Sequence, residues 1–165
     1  MTATALCLVA YFIGMTNAEE VCRQADTVIE LSEQYDIDSG IITALVYHES
    51  RWSPRAKSRA GACGLTQVIP RWTRKPKLTC SQLQDDPELS LRAGMAILNR
   101  LLTSKRYANG NMKVALCAYN AGFSNCRSAR VKRQGSRYSR RVLRTSKKIH
   151  KAASDLESEP EYEVF

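Results

Sequence analysis

The sequence predicts an all-α domain. Apolar residues recur at helical spacing in five segments and no stretch alternates convincingly in the manner of a strand. Cap residues and glycines bound most of these segments. A chain of 165 residues with 44% hydrophobic side chains is also long enough for one core and short for two.

The elements follow in order. Residues 1–18 carry no charged side chain, and the apolar run from Ala5 to Ile13 ends in Thr16-Asn17-Ala18. That pattern reads as a secretory signal, leaving a domain over 19–153, although a buried N-terminal helix would share it. The run is too short to span a bilayer. Val21, Ala25, Val28, Ile29 and Leu31 predict one helix to about Tyr35. Asp38 or Ser39 caps the next, which carries Ile42, Leu45 and Val46 and must end before Pro54. Residues 51–63 read as a loop, and 64–69 as a short turn closed by Pro70. Asp86-Pro87 opens a helix to about Thr103, whose Leu91, Met95, Leu98 and Leu102 stripe makes it the expected central helix. Asn111 caps a helix stopped by Gly122, and a last one runs from about Ser136 to Ala153. Residues 154–165, acidic from Glu157 to Glu163, are expected to be a disordered tail.

Cysteine usage suits an exported, periplasmic or secreted protein. Without the leader, Cys22, Cys63, Cys80, Cys117 and Cys126 remain. Short loop closure favours Cys63 with Cys80 and Cys117 with Cys126, although connectivity stays open and Cys22 would be free or intermolecular. No CxxC pair is present and only His48 and His150 are available, so neither a metal site nor a cofactor is expected.

Charge is uneven. Residues 51–151 hold 24 Lys or Arg against Asp85, Asp86 and Glu88. Such a body attracts polyanions, wall glycan or nucleic acid among them. Arg137, Arg140, Arg141, Arg144, Lys147, Lys148 and Lys151 could lie along phosphates, but neither stacking aromatics of the RNA-binding kind nor a helix-turn-helix pattern accompanies them.

One acid stands out. Ile42, Leu45 and Val46 precede Glu49 by seven, four and three residues, so the carboxyl lies on the apolar stripe at its helix's negative end. Both effects disfavour ionisation, and a glutamic acid held protonated near neutral pH can act as a general acid. A structural glutamate paired with Arg51 would look similar in this segment alone.

Glu49-Ser50-Arg51-Trp52-Ser53-Pro54, then Ser58-Arg59-Ala60-Gly61-Ala62, then Gly64-Leu65-Thr66-Gln67 resembles the first motif block of the soluble lytic transglycosylase family. Ala118-Tyr119-Asn120-Ala121-Gly122 is similar to its second signature, and Tyr138 with Val142 and Leu143 to its third. The resemblance runs from about Asp36 to about Ser146, with Thr66 where the family usually has methionine. It implies a lysozyme-like helical domain with a substrate cleft, monomeric, acting on peptidoglycan strands at the bond between N-acetylmuramic acid and N-acetylglucosamine. By position, Glu49 would be catalytic, Ser58 would contact the N-acetyl group and Gln67 would bind glycan. Tyr119 would hold Glu49, Asn120 would fix substrate or loop, and Tyr138 would complete the hydrogen bonding around Glu49. Small members of this family often serve a secretion or conjugation apparatus.

The count of acids points the same way. A glycosidase usually needs two carboxyl groups around the scissile bond, and after Glu49 none appears before Asp85. In the resembled family the sugar's own 6-hydroxyl attacks, closing a 1,6-anhydro ring, so one acid suffices. A goose-type lysozyme would hydrolyse instead, and a nucleic-acid-binding protein would not need Glu49 at all.

Overall fold

The computed structural model describes residues 1–74 and 76–158. Among them the chain forms nine α-helices: α1 (Ala3–Phe12), α2 (Ala18–Arg23), α3 (Ala25–Tyr35), α4 (Ser39–Ser50), α5 (Cys80–Asp85), α6 (Pro87–Thr103), α7 (Met112–Ala121), α8 (Ala129–Gln134) and α9 (Arg137–Ser158). The strand-like pairing among the described residues is confined to isolated bridges, Lys57 with Cys63 and Cys63 with Val68. The all-α expectation therefore holds.

Helix α4 is the most deeply buried element, while α6, the expected central helix, packs on three others, α3, α5 and α7. The Asp38 carboxylate accepts the Ile41 amide at 2.9 Å to start α4, and Ile42, Thr43, Ala44, Leu45 and Val46 are all fully buried. A helix that is apolar around its circumference has neighbours on every side. Helix α6 lies between two apolar clusters, with Leu91, Met95 and Leu98 in the main core and Leu89, Ala93 and Ile97 packed against Cys63, Val68, Leu78 and Leu83.

Helix α9 lies antiparallel along α4 and touches it at both ends. Near the start of α4, Asp38 accepts hydrogen bonds from Ser146 at 3.2 Å and His150 at 2.8 Å. The ring of His150 sits where a Cβ on Gly40 would come within 2.7 Å of its Nε2, so only glycine lets the two helices approach this closely. Near the end of α4, Thr145 meets His48 and Tyr138 meets Glu49.

The chain leaves α4 through two successive left-handed residues, Arg51 (φ 55°) and Trp52 (φ 58°). Two contacts over-determine this conformation. The Trp52 indole is fully buried, and the Asn17 side-chain amide donates to the Arg51 carbonyl at 2.8 Å.

In the full chain the residues expected as a secretory signal form α1 and the turn into α2, with Leu6, Val9 and Ala10 fully buried against α2, α3 and α9; removal of this segment on export stays a proposal. Other expectations need correction. Cys22 is not free: it bonds Cys7, because α1 folds back on α2 and closes the short loop between them. Cys63 bonds Cys80 and Cys117 bonds Cys126, leaving no free thiol among the described residues. The helix predicted from Val21 to Tyr35 breaks at Gln24. Helices α5 and α8 stand in stretches for which the sequence predicts no element, the first carrying a capping box in which Thr79 and Gln82 satisfy each other's backbone amides. Ser154 to Ser158 continue α9, and the rest of the expected tail, 159–165, lies outside the described residues.

Two tests follow from this packing. Gly64 has φ +74°, and a Cβ there would lie 2.1 Å from the Leu83 carbonyl. Gly64→Ala should lower stability by about 3 kcal/mol in thermal or urea unfolding, as strain and overpacking combine. Oxidised full-length chain should titrate with no free thiol, and Cys22→Ser should cost ~3 kcal/mol for a loop of this size. A single reactive thiol in exported protein that starts after Ala18 would instead show that α1 had been removed.

Candidate active site

Glu49 sits in the last turn of α4, half-buried. Burial pushes its carboxyl up to about 7, against the smaller opposing effect of the Tyr138 hydroxyl, which donates to its Oε1. Near neutral pH the group therefore exchanges a proton readily. Burial first, and the neighbouring Glu49 second, raise the Tyr138 hydroxyl well above its usual range, so it remains a donor.

Asp85 and Asp86 are engaged elsewhere. Asp85 pairs with Arg55 and accepts from Ser81 at 2.6 Å, and Asp86 caps α6 by accepting the Leu89 amide at 2.9 Å. Both serve the α5–α6 junction.

Tyr119 does not donate to Glu49. Its hydroxyl reaches the Thr66 carbonyl at 2.8 Å, which ties the end of α7 to the turn at Gly64–Gln67. Gln67 lies in the left-handed region (φ 50°) and its Nε2 donates to the carbonyls of Ala56 (3.2 Å) and Gly64 (3.0 Å). The amide nitrogen thus braces the loop, and the side-chain carbonyl is the end left for a ligand. The Ser58 hydroxyl accepts the Ala62 amide at 3.0 Å and closes a tight turn. Asn120 is exposed at the last turn of α7. Trp52 packs in the core, whereas Trp72 is 56% exposed.

Thr66 explains its own departure from the family pattern. It is fully buried, and its hydroxyl donates to the Ser90 carbonyl at 2.6 Å while its amide donates to the Ser90 hydroxyl at 3.3 Å. One turn further along α6, a Cβ on Gly94 would lie 2.5 Å from the Thr66 Cβ. Ser90 and Gly94 together make a polar, shallow seat that fits threonine.

His48 is the residue of the site that the sequence reading passed over. Its Nε2 lies 2.9 Å from the Thr145 hydroxyl, and its ring meets Tyr138 edge-on at 6.5 Å. Burial, then the charges of Arg141 and Arg51, hold its pKa below the usual histidine value. A neutral ring thus stands behind the Tyr138–Glu49 pair. Thr145 follows Tyr138 by two helical turns, a periodicity visible in the sequence, but nothing local links it to His48.

Two cavities, of about 610 and 400 Å³, lie along the N-terminal segment, and Glu49 lines neither. The chemistry thus marks the site better than the hollows do.

Comparison with known proteins identifies the family. Residues 26–141 match the model of the transglycosylase SLT domain. The chain is 35% identical over 113 residues to the membrane-bound lytic murein transglycosylase F of Pseudoalteromonas translucida, covering 63% of this chain and 23% of that protein. A protein of the same name from Alcanivorax borkumensis is 33% identical over 115 residues, covering 64% and 24%. The transglycosylase of Enterobacteria phage PRD1 is 33% identical over 97 residues, covering 59% and 34%. The chain thus spans only about a quarter to a third of the length of these relatives. Because the matched stretch covers more than two thirds of the chain, from the start of α3 into the second turn of α9, and includes Glu49, Ser58, Gln67, Tyr119, Asn120 and Tyr138, the chain belongs to the transglycosylase SLT domain family.

Proposed function

We propose that the protein is a peptidoglycan lytic transglycosylase in which Glu49 is the only catalytic carboxyl. The observation that carries this reading is an acid held near pH 7 by burial, while Asp85 and Asp86 are committed to other contacts. The names of the relatives support the substrate class.

In this mechanism the Glu49 carboxyl protonates the glycosidic oxygen between N-acetylmuramic acid and N-acetylglucosamine as the bond to the anomeric carbon breaks. The neighbouring acetamide carbonyl stabilises the charge left on that carbon, with Ser58 on the N-acetyl side. The Glu49 carboxylate then takes the proton from the 6-hydroxyl of the same sugar, whose oxygen attacks the anomeric carbon and closes the 1,6-anhydro ring. No water is consumed, and the nucleophile benefits from being part of the reacting sugar. Gln67, through its free carbonyl end, and Asn120 hold the strand. Tyr138 keeps Glu49 oriented, and Tyr119 acts through the Thr66 loop.

The wall lies outside the cytoplasm, and three disulfides suit an oxidising compartment. Among the described residues no helix is long and apolar enough to cross a membrane. Export, and service to a secretion or conjugation apparatus, belong to this proposal.

Mass spectrometry of digested, purified sacculi tests the reading directly. Anhydro products are expected; reducing ends would mean hydrolysis, and undigested sacculi would refute the assignment. Glu49→Gln should cut turnover by ~10²–10⁴-fold.

The same substitution should stabilise the protein. A folded-state pKa of about 7 lies above the unfolded value of 4.5, so stability is full below pH 4.5 and is lost as pH rises through 7. Above that pH the buried carboxylate costs up to about 3 kcal/mol. Glu49→Gln should therefore raise Tm at pH 8 and lose this advantage by pH 4.5.

The wild-type kcat/KM should fall above about pH 7, as Glu49 gives up its proton. Tyr138→Phe removes a hydrogen bond that favours the carboxylate, so the midpoint of that fall should move to higher pH.

A further inference from the structure

Arg137, Arg140, Arg144, Lys147 and Lys151 follow one another at intervals of three and four residues along α9, and all five are exposed. At 1.5 Å per residue they form a stripe about 21 Å long. The opposite face of the helix is occupied, with Tyr138, Val142, Ile149, Ala152 and Ala153 buried in the body.

This stripe works against its own helix. Cations three and four residues apart repel one another, and those in the first turns also oppose the positive end of the helix dipole. Helix α9 has no acid in its first turn. No Asp or Glu occurs anywhere between Glu88 and Asp155, and among the described residues none of the five cations is in a salt bridge. The carboxylates paired with arginines sit instead on α2, α3, α5 and the start of α6, with Arg23, Arg55 and Arg92; Asp38, which meets α9, is taken up by His150 and Ser146, and the first acid on α9 itself is Asp155, past the last of the five cations. A helix left so repulsive is a surface awaiting anions.

We infer that the α9 stripe is a docking rail for the carboxylates of the peptide stems on the glycan strand being cleaved. The inference rests on the function proposed above. Its first cation, Arg137, adjoins Tyr138, which holds Glu49, so the rail starts at the site and leads away from it. Because Tyr138 touches Glu49 and Arg137 is the residue before it, a strand held at Glu49 lies close to the first cation of the rail. Bilayer insertion does not fit, because the apolar face of α9 is already buried. Stacking of nucleic-acid bases does not fit either, because the exposed large apolar side chains, Leu8, Tyr11, Phe12, Trp72 and Tyr107, all lie off α9.

The test uses the full chain carrying Glu49→Gln, so that nothing is cleaved, and soluble uncrosslinked glycan strands with and without stems. At low salt the stem-bearing strands should bind ~10-fold more tightly, with the preference shrinking as screening tightens to about 8 Å at physiological ionic strength. R144Q/K147Q/K151Q should abolish the preference. In the Glu49 background the same triple variant should still turn over stem-free strands, and at low salt its Tm should be a few degrees higher, as relief of repulsion requires. Equal binding of both strands, a preference that survives in the triple variant, or tight duplex-DNA binding at physiological salt without stem preference would overturn the inference. If the wild type digests neither strand, the proposed function fails, yet the binding comparison still reads out the rail.

Discussion

The structure depends on one seam, where α9 is laid along α4. Burial in this seam is what raises the Glu49 carboxyl pKa, and Tyr138 and His48 with Thr145 close the seam at the carboxyl end. Asp38, Ser146 and His150 close it at the other end. These contacts join residues about a hundred positions apart, so the tuned acid is a product of the finished fold and is absent from any local fragment. The protonated acid costs little in that place, and the carboxylate costs a good deal. The catalytic role proposed for Glu49 and stability therefore pull in opposite directions at this position.

The N-terminal segment belongs to the same construction. Asn17 reaches the carbonyl of Arg51, two residues past Glu49, at a point where the chain holds two consecutive left-handed residues. With α1 tied to α2 by Cys7–Cys22, that support is anchored in the core rather than on a loose arm.

Much of this was readable from local signals. Asp38, Asp86 and Asn111 cap the helices whose starts they announced, Gly122 ends α7, and the apolar positions before Glu49 placed the carboxyl inward at a helix end. Short six-residue helices were missed because they show too little periodicity, although Thr79 and Gln82 left a capping signature for α5. The break at Gln24 escaped notice because the apolar spacing runs through it. Cys22 was assigned no partner because its partner lay in a segment read as a leader. Tyr119 was given to Glu49 by analogy, and its true acceptor is a backbone carbonyl, which no side-chain pattern reports. Contacts such as His48 with Thr145 have no local signature.

The seat of Thr66 has an evolutionary consequence. Its hydroxyl is matched by Ser90 and its small volume by the bare backbone of Gly94, so three positions on two elements form one steric and polar unit. A methionine at 66, the usual residue of the family, would have to enter a space shaped by the other two and would lose the hydroxyl bond to the Ser90 carbonyl. Substitution histories at 66, 90 and 94 should be strongly epistatic, with each single exchange deleterious and only the joint exchange neutral. In lineages closest to this chain the three sites should have turned over together.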